Sequence, residues 1–262
     1  MAARKIIVAS SKGGVGKSTV ALGVANALCR LKKKVLLCDL DFENRCLDLY
    51  MGIENAALFN VADIAKDRVA PEKAILKNSA GLSFLAAPDG VIPGGDGEDD
   101  VSKEELAAAL KDAVDSADYD FVIFDTGTAH EIPILVADTF RGATALVVAS
   151  HQASSSRGAE RTAALLEAHG VRECKLVICG YEFYEAAKNE RRGVIDIIDS
   201  SRVPLIGAVP YDRTLMLSNE RGVKAPEESD ASMAFLNIAC RLCGERVRLF
   251  DGISNVKRRK IL

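Results

Sequence analysis

Lys5-Ile-Ile-Val-Ala-Ser-Ser-Lys12-Gly-Gly-Val-Gly-Lys17-Ser18-Thr19 decides the fold. Its first half is apolar on consecutive residues, the pattern of a strand covered on both faces. Its second half is a glycine-rich turn, and helix-forming residues run on from Lys17 to Leu31. A strand, a glycine turn and a helix in that order bring backbone N–H groups and a positive helix end around a phosphate chain. Gly13, Gly14 and Gly16 lack a Cβ, so the backbone can take positive φ and approach a ligand closely. Ser11, Lys12, Val15 and Thr19 complete the loop. Lys17 has the spacing to reach the β/γ-phosphate oxygens, and the Ser18 hydroxyl the spacing to ligate Mg²⁺.

Outward from this loop, apolar runs alternate with helix-period stretches, the βαβ pattern of a mainly parallel sheet. Strands are expected at Lys5–Ala9, Lys34–Asp39, Leu82–Ala86, Phe121–Asp125, Ala143–Ala149, Lys175–Cys179 and Leu205–Val209. Helices are expected at Lys17–Leu31, Ser102–Ser116, Ile132–Phe140, Ala153–His169 and Asp230–Arg248. Ser102 with Glu105 fits a capping box. Pro88 to Asp100 holds two prolines, four glycines and five acidic residues, which reads as an exposed, mobile loop. The expected architecture is a single-domain α/β P-loop NTPase over residues 1–245, with helices on both sheet faces and a tail at 246–262.

A net charge of −3 argues against a globally basic nucleic-acid binder, though not against a local patch. Seven scattered cysteines do not make a secreted disulfide framework. No run of about 18 apolar residues or signal-peptide pattern occurs, so a cytoplasmic protein is expected. Phe121-Val-Ile-Phe-Asp125 is an apolar strand ending in a carboxylate, placed to hold Mg²⁺ at the carboxyl edge of the sheet. Asp39 and Asp41 end the strand at Leu36-Leu37-Cys38 in the same way. The alternative for either carboxylate is helix capping or turn chemistry.

These residues together resemble the MinD/ParA family of deviant Walker-A P-loop ATPases, nearest its MinD, septum site-determining, branch. The resemblance rests on Lys12-Gly-Gly-Val-Gly-Lys17-Ser18, on Asp39-Leu-Asp41 with Arg45-Cys-Leu-Asp48-Leu, and on Asp125. Met51-Gly52 and Gly207-Ala-Val-Pro210 extend it almost end to end. It implies ATP and Mg²⁺ as ligands and an ATPase whose turnover is low without a partner. It also implies that Lys12 reaches across a nucleotide-sandwich homodimer to the partner's phosphates. Asp41 is implied to position the attacking water and the metal shell, making Lys12, Lys17 and Asp41 the catalytic set. Arg45 falls in the first switch; Asp125, Thr126, Gly127 and Glu131 form the second. Pro210, Tyr211 and Asp212 fall where relatives contact adenine. Departures fall in both switches: Gly127 replaces a proline, Ala129 a glycine, and Cys46 an asparagine. Cys179-Gly180 replaces the Asn/Thr-Arg pair on the other side of the base.

From Glu245 onward the local charge is +4, leaving −7 for the rest. Phe250, Ile253 and Val256 recur at three-residue steps, and Lys257, Arg258, Arg259 and Lys260 would attract anionic lipid. The resemblance implies a short membrane-binding tail, hence peripheral attachment at the inner face of the cell membrane. A frayed basic end is the alternative, and Gly252 costs a helix about 1 kcal/mol. Cys240 and Cys243 without nearby histidines read as buried small hydrophobes. The leading function is a membrane-associated spatial switch in division-site placement with a regulatory protein partner. Alternatives are a DNA-partition ATPase, a flagellum- or pilus-positioning relative, and a low-turnover nucleotide-gated scaffold.

Overall fold

The computed structural model describes residues 2–78, 81–88, 100–128, 130–188 and 190–253. In chain order the elements begin β1 Arg4–Ala9, α1 Lys17–Arg30, β2 Val35–Asp39, α2 Leu47–Met51, α3 Val61–Ala65, α4 Pro71–Ala74, β3 Leu76–Lys77 and β4 Leu82–Leu85. Then come α5 Lys103–Asp115, β5 Phe121–Asp125, α6 Glu131–Thr139, β6 Thr144–Ala149, α7 Ala153–Ala168 and β7 Glu173–Tyr181. The chain continues through α8 Phe183–Ala187, α9 Val194–Ser201, β8 Leu205–Pro210, α10 Arg213–Glu220 and α11 Asp230–Leu242.

The strands form one sheet in the order β3-β4-β2-β5-β1-β6-β7-β8. Every pairing is parallel except the short β3–β4 edge. Alternation along β1 sends Ile6 and Val8 into one core layer and Ile7 and Ala9 into the other. Phe235 and Ile238 of α11 share the first layer with α1; Leu106 of α5, Val136 of α6 and Leu166 of α7 lie in the second. Gly23 lets α11 approach α1, since a Cβ there would lie 2.3 Å from the Phe235 ring. β1 lies between β5 and β6; the chain first steps over the place of β5 to β2 on one side and later runs through β6 on the other. The carboxyl ends of the central strands therefore open into the crevice where such sheets bind ligands.

All seven expected strands and five expected helices are present, most within a residue or two of their expected ends. The capping box is also found: Glu105 N donates to Ser102 Oγ at 3.1 Å and Ser102 N to Glu105 Oε2 at 2.8 Å. The elements that were not expected, α2–α4, β3 and α8–α10, span two to eight residues. That is too short for a periodic pattern to stand out. The loop expected from Pro88 to Asp100 falls, at residues 89–99, outside the described residues.

The C-terminal expectation needs correction. Helix α11 ends at Leu242, not Arg248, because Gly244 turns the chain at φ +90°. The chain then folds back on the domain. Arg241 donates to the carbonyls of Ile206, Val247 and Arg248, and Asn237 Nδ2 to that of Asp251 at 2.7 Å. Phe250 is not on a lipid-facing stripe: it is 4% exposed and meets the Phe183 ring edge-on at 5.2 Å. Ile253 packs against both core layers. Val256, Lys257, Arg258, Arg259 and Lys260 lie outside the described residues. No helix among the described residues is long and apolar enough to cross a membrane.

Phe250→Ala is expected to lower unfolding stability by about 3–5 kcal/mol in urea titration, as buried phenylalanines do. A side chain destined only for lipid would leave the midpoint unmoved.

Candidate functional site

The first turn of α1 is built to leave its N–H groups free. Gly16 caps it in the left-handed region at φ +92°, with no side-chain cap and no acidic residue in the first turn. A Cβ on Gly16 would also sit 2.7 Å from Cys179 Sγ, so both backbone and neighbour demand glycine here. Gly14 is likewise left-handed at φ +71°. Ser11 is tolerated where a glycine is usual because it needs no positive φ. Its hydroxyl fills the space over Gly158 of α7, where a Cβ would come within 2.6 Å. Lys12 rests on the start of α7 in this subunit, its Nζ donating to Gln152 Oε1 and, at 2.9 Å, to Ser154 Oγ.

Lys17 is 6% exposed, and burial pulls its ammonium below the ordinary lysine value while Asp125 and Asp41 pull it back up. Asp125 and Asp39 face each other in register at the ends of β5 and β2, both fully buried. Asp39 is satisfied by backbone: Oδ1 accepts from Asp41 N at 3.0 Å and Oδ2 from Leu47 N at 3.3 Å. Neither oxygen of Asp125 has a hydrogen-bond partner. Burial pushes Asp125 up to about 6 against the pull of Ser18 and Lys17. Burial, then the charge of Asp125, pushes Asp39 up to about 8. A sequestered carboxylate with free lone pairs, beside a hydroxyl and a lysine, fits a hard divalent cation. Among the described residues no three His, Cys, Asp or Glu side chains converge on a metal site of their own. Water and phosphate oxygens are the hard donors that could complete the shell of such a cation.

The switch residues divide. Asp41 Oδ1 accepts from Asn44 N at 2.9 Å, and Arg45 pairs with Asp48 at 2.5 Å. Gly127 is left-handed at φ +61°, and a Cβ on it would lie 2.8 Å from Asp41 Cγ. Close approach of the two switches thus explains glycine in place of proline. Thr126 turns inward, its hydroxyl donating to Val8 O at 3.0 Å, so its role is to tie β5 to β1. Glu131 opens α6 and pairs with Lys103 Nζ at 3.0 Å, which engages its carboxylate with α5. Sequence reading missed Asp39 as the residue that holds Asp41, although its strand-end position was the signal.

From the loop a groove of about 480 Å³ runs to Pro210, Tyr211 and Asp212, with Cys179 and Gly180 on its floor. Asp212 does not have a free carboxylate for a base. Oδ1 accepts from Thr214 N and Leu215 N to cap α10, and Oδ2 accepts from Ala231 N. It is a wall-building residue, and Tyr211 and Met216 are the exposed groups beside it. Tyr50, Gln152, Met216 and Asn219 also line the groove. They escaped sequence reading because they sit on short helices or loops.

Comparison with known proteins agrees with this geometry. The sequence pattern of the ParA family, described as NUBPL iron-transfer P-loop NTPase, matches residues 1–243. The septum site-determining protein MinD of Synechocystis sp. is 32% identical over 256 residues, covering 95% of this chain and 92% of that one. The MinC:MinD cell division protein complex of Aquifex aeolicus contains a chain with TM-score 0.81 and 31% identity, covering 94% of this chain and 98% of its own. MinD of Pyrococcus horikoshii OT3 complexed with Mg-ADP gives TM-score 0.77 at 21% identity over 92% of this chain and 96% of that one, a likeness of fold.

The raised carboxyls carry a pH dependence. Each binds its proton more tightly folded than unfolded, so the contribution of these two groups to ligand-free stability is fully present below the ordinary value of 3.8. That stability is lost as pH rises through about 6 for Asp125 and about 8 for Asp39. Asp125→Asn should therefore raise ligand-free stability at neutral pH by roughly 1–3 kcal/mol and flatten the slope between pH 4 and 6. An unchanged slope in urea titrations across pH would show that Asp125 is not the buried acid.

Proposed function

This chain belongs to the ParA/MinD family of P-loop NTPases, and on that premise we propose that it is a MinD-type Mg-ATPase that switches by dimerising. The observation that carries the reading is the unpartnered, fully buried Asp125 carboxylate beside buried Lys17, under a helix start whose N–H groups have no cap. The first-turn N–H groups and Lys17 hold the β- and γ-phosphate oxygens. Ser18 and Asp125 would hold the magnesium ion, which when bound would supply positive charge against the phosphate oxygens. Asp41, fixed by Asp39 from behind and kept close to Gly127, orients the attacking water. No side chain acts as a covalent nucleophile; positioning and charge stabilisation suffice for this chemistry.

Lys12 serves the closed dimer. Its hydrogen bonds go to the uncharged, exposed acceptors Gln152 Oε1 and Ser154 Oγ, which a partner's anionic phosphates would outcompete for the ammonium. Residues 254–262 supply the basic, partly apolar end, and two such ends on a dimer gain avidity for an anionic membrane surface. A protein of the MinC type is the proposed partner, by analogy with the Aquifex complex. Division-site placement at the inner face of the cell membrane is the proposed process, and the acidic overall balance favours it over DNA partition.

Two experiments test this reading. Lys17→Ala should reduce Mg-ATP affinity at least a hundredfold in calorimetry. Lys12→Ala should retain binding within about tenfold but lose ATP-dependent dimerisation in light scattering. A Lys12→Ala protein that dimerises and hydrolyses normally rejects the bridging role. In co-sedimentation, anionic liposomes should retain the protein with ATP and release it with ADP. Salt-sensitive retention by duplex DNA instead would favour the partition reading.

A further inference from the structure

A second cavity, of about 450 Å³, adjoins the nucleotide groove; Thr19, Tyr50, Leu215 and Asn219 line both. One face of α1 runs along it, with Thr19, Leu22, Gly23, Asn26, Ala27 and Arg30 at the spacing of a single helical stripe. The ends of α2 and α10 meet backbone to backbone beside it, since a Cβ on Gly52 would lie 2.4 Å from Gly222 O. The flanking Met51 and Val223 both line the cavity. Protein interiors leave few voids larger than a water molecule. This one has the size of a small-molecule site, about 300–1,000 Å³.

The cavity has an apolar interior and a cationic mouth. Leu22, Leu82 and Phe235 are buried in its walls, whereas Lys32, Lys224 and Glu227 are exposed. Glu227 engages two of the three cations there: Oε2 pairs with Arg30 Nε at 3.1 Å and Oε1 with Lys224 Nζ at 2.8 Å. Lys32 forms no ion pair among the described residues. Three cations against one carboxylate leave the mouth at +2, on a protein whose total is −3. Asn26 and Asn219 are half-buried, and their side-chain amides bond to nothing among the described residues. We propose that this cavity is a second binding site, separate from the nucleotide groove, for a small amphiphilic organic anion. Its acid group sits at Lys32 and Arg30, and its apolar body lies against Leu22, Met51 and Phe235. Polar atoms on that body bond to the amides of Asn26 and Asn219, the few convergent polar groups that orient a ligand in an apolar pocket. The nucleotide and its magnesium take no part.

The test titrates the full chain with anilinonaphthalene sulfonate, an aromatic body bearing one sulfonate, whose fluorescence rises when the body leaves water. The titration is run with and without saturating Mg-ADP, and repeated with the uncharged analogue phenylnaphthylamine. The expected result is a saturable site for the sulfonate that survives Mg-ADP and takes the uncharged analogue more weakly. Asn26→Trp, which fills the cavity, should weaken the sulfonate at least about tenfold. Lys32→Glu, which reverses the free charge at the mouth, should weaken it at least about fivefold. Circular dichroism checks that both variants fold; should Asn26→Trp not fold, the surface variant Lys32→Glu and the uncharged analogue decide. Displacement of the dye by Mg-ADP would place it in the nucleotide groove and overturn the proposal. So would unchanged affinity in either folded variant, or equal binding of the uncharged analogue. Failure of the protein to bind Mg-ADP would remove the nucleotide reading alone, since the titrations without it still decide this site.

Discussion

The structure depends on an imbalance of buried charge at the carboxyl ends of β2 and β5. Three carboxylates, Asp39, Asp41 and Asp125, are less than a tenth exposed, and the buried cation beside them is Lys17. Two of the three face each other in strand register, and the charge of Asp125 adds to burial in raising the affinity of Asp39 for protons. Backbone N–H groups quiet Asp39, and Asn44 N serves Asp41. Asp125 has no donor in hydrogen-bonding geometry, and only the nearby Ser18 hydroxyl and Lys17 hold its proton affinity down. A protein that buries a carboxylate in this way is less stable for it unless a cation arrives, and the ligand-free state is thereby poised to take one up.

The rest of the crevice keeps that site accessible and shaped. Gly16 and Gly14 take left-handed conformations that open α1 toward the groove, and Gly127 lets the second switch lie against Asp41. Asp212 shapes the far wall by capping α10 and holding the start of α11 through Ala231 N. Loop, switches and the far wall of the groove are thus tied to different strands of one sheet. Asp39 joins the first switch to the start of α2, since it bonds both Asp41 N and Leu47 N.

The C-terminal segment follows from the same sheet. Strand β7 carries Cys179 and Gly180 on the groove floor and then Tyr181, whose ring meets Phe183 edge-on at 4.9 Å. Phe183 in turn receives Phe250. Residues 246–253 are therefore anchored to the strand that lines the nucleotide groove, and any lipid-seeking segment must begin beyond them.

Lys5 to Thr19 by itself determined the first strand, the loop and the start of the helix after it, and the alternation of apolar and helical stretches beyond them determined the parallel sheet, because each rests on local patterns: consecutive apolar residues, glycines at fixed spacing, a helical period. Phe121–Asp125 was legible for the same reason, down to its ends. Tertiary structure alone decided what each polar group does once placed. It spent Thr126 on Val8, Glu131 on Lys103 and Asp212 on two helix starts, and it left Asp125 unpartnered. It also moved Phe250 from an apparent amphipathic stripe into the core. Hydrogen-bond partners and burial are set by residues distant in the chain, so no local period or spacing encodes them.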